Sequence, residues 1–265
     1  MIPFFQYNTV IIGPITLQVW GIMVSLGILI STLFAIYWCR KYLLSANVLT
    51  DLIIWSIIGG FIGARFFHVV FYNSGYYLQH LIEVLYIWNG GLSSVGGFIG
   101  ALVAGLIFFK RRHFSFKEVL PYLDVGALSL WLGWGIGRIG CFLIHDHPGR
   151  LTDFFLAVDF PGGARFDLGL LDSILGFLIF FVFLFLFKPL VKKRWGLVFE
   201  FSFIAYGVAR FFLDFLRATD LPQSDARYFY LTPAQWMILL AGLALTFMWF
   251  FCRIKQKHIE NGRVA

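Results

Sequence analysis

Runs of about 20 apolar residues, separated by short basic stretches, recur along the whole chain, and a pattern of that period leaves few folds open. The runs fall near 15–38, 50–72, 90–109, 119–143, 168–187, 196–216 and 232–252. With 60% hydrophobic and 13% charged residues and a mean hydropathy of +0.81, the 265 residues carry far more apolar surface than a soluble domain could hide. The expected fold is therefore all-α: a polytopic membrane protein of seven transmembrane helices, forming a single integral membrane domain over residues 1–265. No Lys or Arg precedes the first apolar run between Met1 and Pro14, so no cleavable signal peptide is expected.

The basic residues set the orientation. Arg40 and Lys41 follow the first run, Lys110, Arg111, Arg112 and Lys117 the third, Lys188, Lys192, Lys193 and Arg194 the fifth, and Arg253, Lys255, Lys257 and Arg263 the seventh. These alternate loops hold every lysine of the chain. By the positive-inside rule they are cytoplasmic, which places the N-terminus outside and the C-terminus inside. The net charge of +7 is thus topogenic, and no nucleic-acid partner is expected.

What remains on the other side is all arginine: Arg65, Arg138, Arg150, Arg165, Arg210, Arg217 and Arg227. A guanidinium presents a planar fork of donors that matches phosphate oxygens, whereas an ammonium is a point charge, so the partition points to anion recognition. Arg165 and Arg227 fit ordinary headgroup snorkelling instead. The second run holds Gly59, Gly60 and Gly63 at a spacing that lets helices approach closely, and then Arg65. From Trp88 to Gly97 two glycine pairs, Gly90-Gly91 and Gly96-Gly97, suit either an irregular turn whose amides bind an anion or the close-packed start of a helix.

The densest chemistry lies at the end of the fourth run, in Gly133-Trp134-Gly135-Ile136-Gly137-Arg138-Ile139-Gly140-Cys141-Phe142, continued by His145-Asp146-His147-Pro148-Gly149-Arg150. An arginine near a membrane helix is costly and is retained for a partner or a function. The Gly135-x-Gly137-x-x-Gly140 spacing matches a dinucleotide fingerprint, but it lies in an apolar span with no preceding strand, so no such cofactor is expected. Asp146 stands beside His145 and His147, where a carboxylate can orient or charge an imidazole. Adjacent positions in such a run do not converge on one ion, and Cys39, Cys141 and Cys252 lack ligand spacing, so no metal is expected. The long connection 144–167 has the length of a functional segment.

The sixth run carries Tyr206, Arg210, Asp214 and Arg217, which fall within about 80° of one another at helical spacing and make one polar stripe on an aromatic helix. Two arginines for one acid favour an additional anion.

On these residues the chain resembles the prolipoprotein diacylglyceryl transferases. The segments that carry the resemblance are Ile12-Gly13-Pro14, Gly63-Ala64-Arg65 through Phe71-Tyr72-Asn73, Trp88-Asn89-Gly90-Gly91, Gly137-Arg138-Ile139-Gly140, Gly149-Arg150 and the Tyr206-Gly207 to Arg217 helix. The resemblance implies phosphatidylglycerol or a related anionic phospholipid as donor, a lipobox-containing preprolipoprotein as acceptor, no cofactor, and a multi-pass protein of the bacterial cytoplasmic membrane. It also implies catalytic roles for Arg138 and Arg210, and substrate binding by Arg65, Gly149, Arg150, Tyr206, Asp214 and Arg217; Gly96 and Gly97 join the substrate-binding set on the anion-binding reading of the glycine pairs. Val95 stands where the family has a histidine, Cys141 where it has asparagine, Asp146 where it has glutamate and Trp20 where it has tyrosine. Phe166 to Asp172 replaces the family's His-Pro-Ser-Gln-Leu-Tyr-Glu run. With Val95 unable to take a proton, His145 or His147, poised by Asp146, becomes the candidate base. Two other readings fit the same residues: a non-catalytic relative that binds anionic lipid, and a lipid transferase with a different acceptor.

Overall fold

Long apolar runs become long helices because each buries its own backbone polar groups, and charge collects where the helices end. The computed structural model describes residues 1–86, 90–221, 224, 227–240 and 242–243. Six of its helices exceed four turns: α1 (Val19–Lys41), α2 (Ala46–Phe67), α4 (Ser94–Arg111), α5 (Phe116–Ile144), α6 (Leu168–Lys193) and α7 (Leu197–Leu213), with a short α3 (Ser74–Gln79) after α2. A π-helical turn, His68–Tyr72, prolongs α2. Among the described residues, four helices are long and apolar enough to cross a membrane: α1, Ala46–Tyr72, α5 and α6. The third and sixth predicted spans fall on α4 and α7. Of the seventh, residues 233–240 are helical, and its end lies outside the described residues, as do the basic residues that follow it.

The all-α expectation requires amendment at two places. The first predicted span begins at 15, but Thr9–Ile12 (β2) and Ile15–Gln18 (β3) form an antiparallel hairpin, and α1 starts only at Val19. Gly13 turns this hairpin with φ +60, which a residue bearing a Cβ adopts only with strain. The connection 144–167 is likewise folded. Pro148–Leu151 (β4), Val158–Phe160 (β5) and Gly163–Asp167 (β6), joined by Ile2–Pro3 (β1), make a four-stranded sheet in the order β1-β5-β6-β4. Strands this short, in a chain already rich in apolar residues, give no alternation by which to recognise them.

The chain divides into two compact units, one of residues 1–27, 131–182 and 201 onward, the other of 28–130 and 183–200. In the second unit α2 and α4 meet through glycine. A Cβ on Gly59 would lie 2.7 Å from the Gly100 carbonyl oxygen, and one on Gly100 would lie 2.9 Å from the Gly63 Cα. Ser93 caps α4, accepting from the Gly96 amide at 3.4 Å through its side chain and from the Gly97 amide at 2.9 Å through its carbonyl. Gly96 and Gly97 are therefore the close-packed start of a helix, and neither amide is left for an anion, contrary to the substrate-binding expectation. Trp88 and Asn89 of that stretch lie outside the described residues.

Asp124 is fully buried in the same unit and takes the backbone N–H groups of Gly196 and Phe199 at 2.7 and 2.8 Å, which anchors the first turn of α7. Along α6 the aromatic run is two-faced. Leu178, Phe181 and Phe185 are exposed, whereas Ile179, Phe180, Phe183 and Phe187 are buried, so only one face of this nearly all-apolar helix points outward.

Arg65 is also reassigned by its surroundings. It is buried, with Nε donating to the Val84 carbonyl at 2.8 Å, one terminal nitrogen to Gly90 and Gly91 at 2.7 and 3.1 Å, and the other to Glu83 at 2.5 Å. Its guanidinium also lies 5.0 Å from the Tyr77 ring centroid. Four of its five donor hydrogens hold backbone carbonyls, so it pins the segment between α3 and α4 and has no fork to offer a phosphate. Arg65→Ala leaves those carbonyls unpaired and is expected to cost roughly 2–4 kcal/mol. Arg65→Lys should recover little, since three ammonium donors cannot reproduce the fork. Thermal denaturation in detergent checks both.

Candidate active site

The glycines of α5 determine how closely other helices approach the arginine among them. A Cβ on Gly27 of α1 would lie 2.7 Å from the Gly133 carbonyl oxygen, and one on Gly140 would lie 2.9 Å from Met23 Cβ and 3.2 Å from Trp20 Cα. On the side of α6, a Cβ on Gly176 would meet the Gly135 nitrogen at 3.0 Å, and Ser173 Oγ donates to the Gly135 carbonyl at 2.7 Å. Contact at backbone distance on two sides encloses Arg138, whose side chain keeps 18% exposure.

Arg138 Nε pairs with Asp172 Oδ2 at 2.8 Å. The guanidinium lies over the Trp134 ring, 4.5 Å from its centroid, and one terminal nitrogen reaches Cys141 Sγ at 3.7 Å. Asp172 is buried and accepts from the Tyr206 hydroxyl at 3.1 Å, so α5, α6 and α7 meet at one carboxylate. The Tyr206 ring packs on Trp131 and Trp134, at centroid distances of 4.7 and 5.7 Å.

One turn further along α7, Arg210 pairs with Asp214 Oδ1 at 2.9 Å, and Arg217 Nε reaches the same oxygen at 3.1 Å. The other oxygen of Asp214 accepts from the Thr232 hydroxyl. The helix gives way at Asp214–Leu216 to a 3-10 turn, and Arg217 is extended, yet the stripe predicted from helical spacing survives through the shared carboxylate. Asp214 thus shares its charge between two guanidinium groups, from Arg210 and Arg217. Gln235 is fully buried and holds this end of the site, donating to the Phe211 carbonyl at 2.9 Å and accepting from the Thr232 amide at 2.9 Å.

The histidines separate into two environments. His145 does not face Asp146. Its Nδ1 bonds Asp167 Oδ2 at 2.6 Å, and its ring is enclosed by Phe4, Phe5, Phe142 and Phe160 at centroid distances of 4.7 to 5.3 Å. The ring is buried, and Nε2 has no hydrogen-bond partner among the described residues. Asp167 also accepts from the Leu170 amide at 2.9 Å, so the pair ties the end of α5 to the first turn of α6 across the base of the sheet. A base enclosed in this way cannot meet a substrate, and His145 is a structural residue. His147 keeps the predicted partner: Nδ1 lies 2.9 Å from Asp146 Oδ1, both side chains about a third exposed.

Gly149 is buried where β4 meets the segment after α7. A Cβ there would come within 2.7 Å of the Leu216 carbonyl oxygen, and the residue bridges Arg217. That crowding explains the glycine without a ligand. Arg150 beside it is exposed on β4. Arg165 forks onto Asp220 at 2.9 and 2.5 Å while donating to the Gly149 carbonyl at 3.1 Å, and these hydrogen bonds hold the Asp220 carboxyl down at about 2. Arg227 serves a local turn through the Tyr230 carbonyl at 3.4 Å. Asp172, Asp167, Thr232 and Gln235 escape a motif-based reading. For Asp172 the signal is present, a lone carboxylate early in an otherwise apolar helix.

Fold and site together define a polytopic membrane protein with two largely buried guanidinium groups, Arg138 tied through Asp172 to Tyr206 and Arg210 paired with Asp214 one turn further along α7. The family model described as prolipoprotein diacylglyceryl transferase matches residues 8–251. Among curated relatives, a phosphatidylglycerol–prolipoprotein diacylglyceryl transferase of Nitrosomonas europaea is 32% identical over 92% of this chain and 90% of its own length. The proteins of the same name from Staphylococcus xylosus and Pseudomonas putida are each 31% identical, over 93% and 92% of this chain and 89% and 95% of theirs. The chain belongs to the prolipoprotein diacylglyceryl transferase family.

Proposed function

We propose that this protein transfers the diacylglyceryl group of phosphatidylglycerol, or a related anionic phospholipid, to the cysteine thiol of a lipobox-containing precursor at the outer face of a bacterial cytoplasmic membrane. In this reading seven spans cross the bilayer, with the N-terminus outside and the C-terminus in the cytoplasm. The observation that carries the reading is the polar chain Arg138–Asp172–Tyr206, continued one turn along α7 by Arg210–Asp214. It supplies two guanidinium groups, from α5 and α7, whose side chains keep only 18% and 10% exposure.

The precursor thiolate attacks the glyceryl carbon that bears the phosphate. A C–S bond forms, the C–O bond to phosphate breaks, and glycerol phosphate leaves with the electron pair. Negative charge grows on the phosphate oxygens in the transition state. Arg138 and Arg210 stabilise it there, and Asp172 and Asp214 hold the two forks in place. A thiol with an ordinary pKa of about 8.5 needs a proton acceptor. His147 takes that role: with Nδ1–H directed to Asp146, the other ring nitrogen presents its lone pair.

The test is purified protein in vesicles of phosphatidylglycerol with a lipobox peptide. The expected result is a peptide heavier by one diacylglyceryl group and an equal amount of released glycerol phosphate. Lipid binding without that product would make the chain a non-catalytic lipid-binding relative. Glycerol phosphate release without the peptide adduct would mean a different acceptor.

A further inference from the structure

The β2–β3 hairpin presents a face that none of the described residues covers. Its register pairs Val10 with Leu17 and Ile12 with Ile15, so these four side chains share one side of the ribbon. The opposite side carries Thr9, Ile11, Thr16 and Gln18. Every residue of both strands is exposed, Ile12 and Ile15 at 60% and 57%. A lone two-stranded ribbon is marginal in water and needs a surface against its apolar side. No Lys, Arg, Asp or Glu occurs anywhere from Met1 to Cys39, so the hairpin lacks the charges that normally guard a water-facing strand edge.

Continuity identifies the occupant. Gln18 runs directly into α1, the Val19 amide bonds the Asn8 carbonyl at 3.0 Å to close the hairpin's base, and α1 itself exposes Leu26, Leu29 and Leu33. We propose that the hairpin is a membrane-docking element whose Val10, Ile12, Ile15 and Leu17 face rests in the outer boundary of the bilayer that α1 crosses. Its unpaired strand edges exclude the hydrocarbon interior, where such groups go unsatisfied. The ribbon therefore lies flat, about 5–10 Å below the headgroup surface on its apolar side, with Thr9, Thr16 and Gln18 among headgroups. The base of the hairpin is fixed beside the arginine site: the Tyr7 amide bonds the Leu143 carbonyl at 2.9 Å, and Trp20 packs against Gly140. Docking would thus set the depth at which that end of α5 meets lipid headgroups.

The experiment places a photo-crosslinking phenylalanine analogue singly at Ile12, Ile15 and Thr16 of the full chain in native membranes, with Leu29 as a lipid-facing reference. After irradiation the products are separated by mass. Ile12 and Ile15 are expected to give phospholipid adducts at least five-fold above Thr16 and comparable to Leu29. Protein adducts at Ile12 and Ile15, to a second copy or to precursor, overturn the proposal. So do equal yields on the two faces, or no adduct where Leu29 reacts. Val10 and Leu17 lie on the same face and replace any position whose variant fails to fold. The outcome does not depend on whether the protein transfers a diacylglyceryl group.

Discussion

Arg138→Ala is expected to lower the rate of diacylglyceryl transfer by about three orders of magnitude, because in the proposed mechanism it removes a charged donor to an oxygen that gains charge in the transition state. Arg138→Lys should recover only a small part. In the native site the guanidinium holds Asp172 through Nε, reaches Cys141 Sγ through one terminal nitrogen and stacks over Trp134, and in the proposed mechanism its remaining N–H groups serve the phosphate. An ammonium would have to choose between the carboxylate and the lipid. Arg210→Ala should fall in the same range. The effect belongs to kcat more than to KM, since the interaction strengthens as the C–O bond breaks. Single-turnover transfer to a lipobox peptide at saturating lipid measures it. A loss of less than ten-fold with Arg138→Ala would remove this residue from the chemistry.

Asp214→Ala should have the largest effect on the protein itself. Its carboxylate is buried, two guanidinium groups converge on one oxygen, and the Thr232 hydroxyl donates to the other. Removing it leaves the buried Arg210 guanidinium without the counter-ion it holds at 2.9 Å, a change of about 3–5 kcal/mol for a buried pair broken on one side. Asp214→Asn keeps the shape and one acceptor oxygen but not the charge, so it should fall between alanine and the native protein. Melting temperature in detergent orders the three. If Asp214→Ala melts with the native protein, Arg210 and Arg217 have other means of neutralisation, and the stripe along α7 is not the organising element.

Helix positions were legible because apolar runs of membrane length have one physical solution. The runs 119–143 and 168–187 became Phe116–Ile144 and Leu168–Lys193, longer than expected because the flanking residues continue the helix past the apolar part. The Tyr206–Arg217 stripe was legible for a local reason, since helical period alone puts those side chains together. Partners brought together across helices were not. Nothing near Arg138 in sequence indicates that Asp172 on α6 is its counter-ion, and adjacency favoured Asp146 for both histidines when folding gives Asp167 to His145. Arg65 shows the same limit from the opposite side: a lone arginine in a glycine-rich helix invites a ligand, and backbone carbonyls from a later segment claim it first. The hairpin was hidden because Ile11-Ile12 and Ile15 extend the hydropathy of α1 without a break.

The central claim is that Arg138 and Arg210 act together on one phosphate. A double-mutant cycle on phosphatidylglycerol affinity tests it most directly, comparing the native protein with Arg138→Ala, Arg210→Ala and the double variant in nanodiscs. Groups that share one ligand are coupled, so the double variant should lose clearly less than the two single losses combined, by about 1 kcal/mol or more. Losses that add within about 0.3–0.5 kcal/mol would show two independent arginines and contradict the account.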